Sequence, residues 1–254
     1  MKVIILGSSG GASGSRQYVS SYLVNESVAI DAGCLGLYGT PEQQACVRHV
    51  VLTHAHLDHI ASLPFFLENV WTDAPDCPVV YGSAQTLDAV QRSMFNNEVW
   101  PDFVALSERM PPFVRFQVLQ PEVPIRLAGL VITPVTVNHS VPTFAYIVQE
   151  GERAVIFAGD SGPTTRLWQL AAGVPGLRAV FLEASFPNRM KAVAEISQHL
   201  TSETFGREAA KAPCGVKIIA VHLKVQYHDE IVREMAGLGL PCVEIGECDS
   251  EYQF

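Results

Sequence analysis

The segment from Thr53 to His59 reads T-H-A-H-L-D-H and places three histidines and one aspartate within seven residues. The whole chain has 8 His, so this density is unusual. A solvated, His-rich loop is the simplest interpretation of such a segment. Imidazole and carboxylate groups at this spacing are, however, typical ligands of zinc and related divalent metals. The segment therefore predicts a metal site.

The spacing within this segment favours two metals over one. His54 and His56 are two residues apart, so at the end of an extended strand both side chains point the same way and can reach one metal. Asp58 and His59 follow where the chain turns toward a helix, and they can serve a second metal close by. Two metals about 3.5–4 Å apart clamp the attacking and leaving oxygens of a hydrolysis. Zinc is the expected ion, with manganese or iron as alternatives.

Further ligand types follow apolar strand candidates later in the chain. His139 lies in V-N-H-S, Asp160 in F-A-G-D-S-G and His222 in A-V-H-L-K. The carboxyl ends of strands are where α/β scaffolds build sites. Small neighbours suit Asp160 to bridge two metals, because they let the backbone approach closely. Each residue alone is more often structural, but together they favour a dinuclear hydrolase centre.

Composition limits the classes of partner. The chain of 254 residues is 48% hydrophobic and 17% charged, with a net charge of -9, which is typical of a globular protein. That acidity argues against wide binding of polymeric nucleic acid, although bound metal can attract a small anionic substrate. The apolar run Val3–Leu6 is too short for a signal segment and no run approaches a membrane span, so we expect a cytoplasmic protein without membrane contact.

Cysteine and glycine patterns leave two alternatives open. The 6 Cys are scattered without a C-x-x-C pair, which is typical of reduced, mostly buried thiols. Cys34 lies near the expected site, where it is either such a thiol or a reactive one. The segment from Gly7 to Gly14 reads G-S-S-G-G-A-S-G and lacks the G-K-[ST] ending of a phosphate-binding loop. A tight turn near the metal site is the preferred interpretation.

Hydrophobic periodicity predicts two sheets with outer helices. The expected strands are Val3–Leu6, Val28–Asp31, Val47–Leu52, Val79–Tyr81, Val114–Leu119, Leu130–Val137, Phe144–Gln149, Ala154–Phe157, Ala179–Leu182, Val216–Val221 and Cys242–Ile245. The expected helices are Ile60–Asn69, Ser83–Phe95, Thr164–Ala172, Arg189–Ile196, Ser202–Lys211 and His228–Leu238. The segment Asp73–Pro124, rich in proline and aromatics, is either a lid beside the site or a connecting region with its own small core.

The ordered set of histidines and aspartates resembles the metallo-β-lactamase superfamily of dinuclear metal hydrolases over nearly the whole chain. The resemblance implies an α/β fold, a four-layer αββα sandwich of two mixed sheets with outer helices, in a single domain over residues 1–254. It also implies two divalent ions. The first would be bound by His54, His56 and His139, the second by Asp58, His59 and His222, with Asp160 as the bridging ligand.

A narrower resemblance points to class II 3',5'-cyclic-nucleotide phosphodiesterases. T-H-A-H-L-D-H-I-A-S-L-P, F-L-E-A-S-F-P-N, Q-H-L-T and V-H-L-K are similar to stretches of that family. Ser62 and Gln198 depart from it, because family members often have glycine at both positions. The same stretches also resemble tRNA 3'-processing nucleases, although the acidic charge and the lack of a long Gly/Pro-rich arm argue against a tRNA substrate.

These resemblances imply catalytic roles for three residues, and the pairing of a Glu with a His outside the metal shell is a feature of the tRNA 3'-processing nucleases. Asp58 would orient or deprotonate the attacking water. His199 would be the general acid for the leaving oxygen, oriented by Glu183. Considered alone, Glu183 would be a strand-end carboxylate capping the next helix, and His199 a surface residue at a helix start.

The predicted reaction is hydrolysis of the 3' bond of cAMP or cGMP to the 5'-monophosphate, with a small cyclic nucleotide as the partner. The alternatives are another phosphodiesterase acting on a cyclic ribose phosphate or an RNA 3' end, a thioester hydrolase, or a metal-binding regulatory protein without turnover. The purine preference is left open, as is assembly into a homodimer.

Overall fold

The computed structural model describes residues 1–7 and 19–254. The predicted tight turn over Ser8–Gly14 lies outside the described residues. The strands that the structure describes are β1 Lys2–Gly7, β2 Ser21–Val24, β3 Val28–Ile30, β4 His49–Val51, β5 Val79–Gly82, β6 Arg115–Val118, β7 Ile125–Leu127, β8 Leu130–Val137, β9 Thr143–Glu150, β10 Arg153–Phe157, β11 Leu177–Glu183, β12 Lys217–Val221, β13 Val243–Ile245 and β14 Glu251–Gln253.

These strands form two mixed sheets of the same design. The first has the order β14-β1-β2-β3-β4-β5-β6 and the second the order β13-β12-β11-β10-β9-β8-β7. Pairing is antiparallel from β14 to β3 and parallel from β3 to β6. In the second sheet it is antiparallel from β7 to β10 and parallel from β10 to β13. In each sheet the parallel strands therefore end at one edge.

Helices cover the outer faces of the two sheets. They are α1 Pro41–Gln44, α2 Leu57–Ile60, α3 Leu63–Asn69, α4 Ala84–Ser93, α5 Phe103–Leu106, α6 Arg166–Ala171, α7 Lys191–Ser197, α8 Ser202–Ala209 and α9 His228–Gly237, with 3₁₀ turns at Leu35–Leu37, Asn188–Met190 and Val225–Tyr227. One buried core lies between the sheets and includes Ile5 and Val51 of the first with Tyr146 and Phe181 of the second. Each sheet has one further buried core, which lies between the sheet and the helices on its outer face.

The four-layer αββα fold predicted from the sequence is thus confirmed. Most strand and helix predictions match within a few residues, since alternating or continuous apolar runs mark them. The short strands β2, β7 and β14 were not predicted, because three or four residues are too few to show periodicity. No helix among the described residues is both long and apolar enough to cross a bilayer.

The segment Asp73–Pro124 belongs to the scaffold of the first sheet. It contributes β5 and the edge strand β6, and helices α4 and α5 pack in the outer core of that sheet. Phe103 lies in this core, 4.1 Å from the ring of Phe113 and stacked on it. The segment is therefore part of the packed scaffold, and its apolar side chains join the outer core of the first sheet rather than a small core of their own.

Candidate metal centre and acid–base pair

The proposed ligands converge at the carboxyl ends of strands from both sheets. His54 follows β4 by two intervening residues, His139 follows β8, and Asp160 follows β10. His222 comes directly after β12, at a positive φ of 59° that turns the chain sharply. Because β8, β10 and β12 run in the same direction, their ends meet at one edge, opposite the end of β4.

The first donor cluster combines His54, His56, His139 and Asp160, whose ligand atoms all lie within 4.8 Å of one another. The Nε2 atom of His139 lies 3.2 Å from Nδ1 of His56. The rings of His54 and His56 meet edge to face, with centroids 4.6 Å apart. These are the four residues that the resemblance assigned to the first metal and the bridge.

The second donor cluster combines Asp58, His59 and His222 within the same limit of 4.8 Å. Asp58 Oδ2 lies 3.2 Å from His222 Nε2. Asp160 Oδ2 lies 3.3 Å from His59 Nε2, 3.4 Å from His222 Nε2 and 3.7 Å from His54 Nε2. Asp160 therefore faces both clusters, as a bridging ligand must.

In His54, His59 and His139 the Nδ1 atom contacts a neighbouring group. Whether the opposite nitrogen, Nε2, is left available as a ligand decides whether a cation fits. His59 Nδ1 donates to Asp31 Oδ2 at 2.7 Å, and His139 Nδ1 donates to the Gln198 carbonyl at 3.2 Å. His54 Nδ1 lies 3.0 Å from Thr53 Oγ1, whose own proton goes to Asp31. Each Nε2 therefore presents its lone pair toward the cluster.

Two of those lone-pair nitrogens have no hydrogen-bond partner. The Nε2 atoms of His54 and His59 are buried and unpaired within the described part of the chain. Buried polar atoms are nearly always satisfied, so an orphaned pair aimed at carboxylates needs an explanation. A bound divalent cation supplies it, and the donor set therefore fits the predicted metals.

The electrostatics of the first donor cluster agree with this fit, whereas Asp160 and Asp31 outweigh burial and raise the pKa of His59 in the second, so a metal must displace a proton there. Burial lowers the pKa of His54, His56 and His139, which keeps them in the neutral form that binds metal. Burial would raise the pKa of Asp160, but His222 and His59 outweigh it and hold that pKa well below its usual range. The bridging carboxylate is thus ionised.

Glu183 and His199 form a hydrogen-bonded pair beside the donor clusters. Glu183 is the last residue of β11 and is almost fully buried, and its Oε1 accepts from His199 Nδ1 at 2.7 Å. Burial opposes the charged imidazole, but the Glu183 carboxylate outweighs it and raises the pKa of His199. His199 also lies within 4.8 Å of Asp160 and His222 by its ligand atoms. An imidazole whose protonated form is favoured by Glu183 thus borders the second donor cluster.

Backbone and hydroxyl donors fix the Glu183 carboxylate. The Ser161 amide donates to Oε1 at 2.8 Å, and the Leu200 amide donates to Oε2 at 3.1 Å. Ser185 Oγ donates to Oε2 at 2.6 Å and lies 3.0 Å from His222 Nδ1. Since the Ser185 proton goes to the carboxylate, this hydroxyl accepts from His222 and orients that imidazole as well.

Sequence reasoning missed the residues that support the ligands. Asp31, Thr53 and Ser185 are buried and contact the histidines, yet none was proposed. Asp31 directly follows β3, so the strand-end rule that selected Asp160 would have selected it too. Cys34 was left open, and burial raises the pKa of its thiol to about 11, which opposes a reactive thiolate.

Residues 35–223 match the family described as the beta-lactamase superfamily domain. The chain belongs to this superfamily. The match contains the proposed metal ligands and the Glu183–His199 pair. The superfamily's metallo-β-lactamase fold implies divalent metal binding, and the donor clusters of this chain agree with it.

Relatives within the superfamily carry different names. A ribonuclease Z of Mycobacterium sp. (strain KMS) is 27% identical over 193 residues, which cover 68% of this chain and 65% of the relative. A probable 3',5'-cyclic-nucleotide phosphodiesterase of Yersinia pestis is 26% identical over 184 residues, covering 65% of this chain and 51% of the relative. The chain thus matches between one half and two thirds of the length of these relatives.

Solved structures with this superfamily fold cover nearly the full chain. The metallo-beta-lactamase fold protein YhfI from Bacillus subtilis superposes with a TM-score of 0.74 and 20% identity, covering 99% of this chain and 98% of YhfI. Unliganded yeast PDE1 superposes with a TM-score of 0.78 and 16% identity, covering 98% of each chain. At these identities the likeness establishes the fold.

Proposed function

We propose that the chain is a dinuclear, zinc-dependent phosphodiesterase that cleaves the 3' bond of 3',5'-cyclic nucleotides to give 5'-monophosphates. The observation that carries this proposal is the Glu183–His199 pair beside two donor clusters joined by Asp160. A metal-binding regulatory protein would need the clusters alone. An oriented imidazole next to them, whose protonated form a buried carboxylate favours, is what the departure of an alkoxide requires.

Each donor cluster would hold one of the two metal ions. His54, His56 and His139 would hold one ion, Asp58, His59 and His222 the other, with Asp160 shared. Bound divalent ions would activate water near neutral pH and stabilise negative charge on the phosphoryl oxygens.

The remaining steps belong to side chains. Asp58 is partly exposed, and in this proposal its carboxylate orients the water that attacks phosphorus. Because Glu183 engages Nδ1 of His199, the other ring nitrogen, Nε2, is free to give its proton to the 3' oxygen as the P–O bond breaks. Glu183 then stabilises the protonated form that must be restored for the next turnover.

A cavity next to His199 favours a small substrate. It has a volume of about 300 Å³ and is lined in part by Asn138, Lys191, Gln198 and Arg207. In this proposal it receives the nucleoside part of the cyclic nucleotide. The net charge of -9 further disfavours a long polyanion.

Cleavage at an RNA 3' end is the second candidate. The ribonuclease Z relative is as similar to this chain as the phosphodiesterase relative, at 27% and 26% identity. Both reactions need the same metals and the same acid, so the catalytic residues do not separate them.

A substrate panel tests the proposal. The zinc-loaded protein is assayed with cAMP, cGMP, a 2',3'-cyclic nucleotide, bis-p-nitrophenyl phosphate, a thioester and a tRNA precursor. We expect turnover of a 3',5'-cyclic nucleotide with the 5'-monophosphate as product, lost on chelation and restored by zinc. If the protein cleaves the tRNA precursor or another compound of this panel but neither cAMP nor cGMP, the leading proposal is ruled out.

A further inference from the structure

Lys224 is a cation of the second donor cluster that the roles above do not use. Its Nζ lies 3.6 Å from Asp58 Oδ2, and 24% of its side chain is exposed. Among the salt bridges of the described residues, it supplies the one lysine or arginine paired with a proposed metal ligand.

The ammonium group of Lys224 is short of acceptors. Within the described residues its Nζ makes no hydrogen bond, and 3.6 Å to one carboxylate oxygen is too long for one. A lysine ammonium carries three donors and no acceptor. Since the side chain is partly exposed, a ligand can reach this ammonium, and its unused donors are positioned to bind an anion.

The backbone of Lys224 is held beside the acid pair. The Lys224 amide donates to the Ser185 carbonyl at 3.3 Å, and its carbonyl accepts from the Tyr227 amide at 2.9 Å. Ser185 also orients Glu183 and His222, as its side-chain contacts show. Lys224 is therefore anchored to the residue that already connects the acid pair with a ligand.

Charge balance indicates what the ammonium binds. Two divalent ions would carry more positive charge than Asp58 and Asp160 cancel, and Lys224 adds to that excess. Holding the Lys224 ammonium beside two divalent ions is electrostatically unfavourable unless an anion binds between them. A phosphoryl group provides that anion, because its oxygens can face both the metals and the ammonium.

We propose that Lys224 Nζ binds a non-bridging oxygen of the substrate phosphoryl group, so that Lys224 is a substrate-binding residue of the second donor cluster. This inference rests on the proposed phosphodiester chemistry but not on which phosphodiester is cleaved. The competing role is structural, in which Lys224 only holds Asp58 in place for the metal.

The test compares Lys224→Met and Lys224→Arg with Lys217→Met. Lys217 lies at the other end of β12, where it pairs with Glu244 and is half exposed, and so makes a matched control. Each zinc-loaded variant is measured for metal content, for calorimetric affinity toward inorganic phosphate, and for KM and kcat with whichever phosphodiester the wild type cleaves.

We expect Lys224→Met to keep its metal while phosphate affinity falls and KM rises, each by about 10–100-fold, as for loss of a charged hydrogen bond. Lys224→Arg should restore part of both, and Lys217→Met should change neither. Phosphate affinity of Lys224→Met equal to that of the wild type would overturn the inference, and so would loss of metal from this variant. Because phosphate binding is read directly, failure to cleave cyclic nucleotides would refute the proposed function without deciding the role of Lys224.

Discussion

Asp31 Oδ2 lies 2.7 Å from His59 Nδ1, and both side chains are almost fully buried beneath the second donor cluster. The carboxylate fixes which nitrogen carries the proton and turns Nε2 toward Asp160, 3.3 Å away. Such carboxylate–histidine pairs raise the basicity of the ligand and fix its orientation. Asp31 is thus expected to control metal affinity without touching the metal.

Asp31→Asn tests that expectation. The amide has nearly the same shape and tolerates the positive φ of 62° at this position, but it removes the negative charge. We expect zinc affinity to fall by about 10–100-fold, measured by competition with a chelator. Asp88→Asn is the control, because Asp88 pairs with Arg92 on an exposed helix face. Unchanged zinc affinity in Asp31→Asn would show that His59 does not need this partner.

His199→Ala and His222→Ala should fail in different ways. His199→Ala should keep its zinc and lose about 10²–10⁴-fold in kcat on a cyclic nucleotide, as for removal of a general acid. His222→Ala should lose zinc, measured by elemental analysis.

The leaving group provides the check on the acid. Bis-p-nitrophenyl phosphate releases a stable phenolate that needs no proton, so His199→Ala should cleave it at close to the wild-type rate. An equal loss on both substrates would assign His199 a role other than proton donation.

The pH dependence of the rate should report the Glu183–His199 pair. Glu183 raises the pKa of His199 against the opposing effect of burial. The acid must be protonated, so kcat/KM falls as the pH rises through that pKa. Glu183→Gln removes the charge, lowers the pKa and should move this basic limb to lower pH. Glu26→Gln is the control, because Glu26 pairs with Lys2 at an exposed site far from His199, and it should leave the limb in place. An unmoved limb in Glu183→Gln would contradict the pairing.

Gln198 carries backbone strain that a glycine would relieve. It ends α7 in the left-handed region, at φ 54° and ψ 50°, and its carbonyl holds His139. A side chain in this region costs about 1–2 kcal/mol, partly offset by the entropy of glycine. Gln198→Gly should therefore raise the free energy of unfolding by about 0.5–1 kcal/mol while zinc binding is kept.

The control for Gln198→Gly is Ala192→Gly within α7. Ala192 is exposed and in regular helix, so glycine there should lower the free energy of unfolding by about 1 kcal/mol. Denaturant titration measures both changes. The same sign for the two substitutions would show that the left-handed conformation of Gln198 is not strained.

The elements that carry the site could be predicted because their signals are local. His54 and His56 alternate at the end of an apolar run, and His139, Asp160 and His222 each follow another. Strand periodicity and donor chemistry depend on neighbours in sequence, and both can be read from it. The strands β2, β7 and β14 have only three or four residues each, which is too short for a pattern, and β14 is held by pairing with β1 at the far end of the chain.

The sequence by itself determined the donor types, their positions at strand ends, and the fold that brings such ends together. The tertiary structure alone decided which groups orient those donors and which cation lies beside them. Asp31 with His59, Gln198 with His139, and Lys224 with Asp58 are contacts between segments far apart in the chain. Such contacts exist only in the folded chain, because tertiary packing rather than sequence spacing sets which side chains meet.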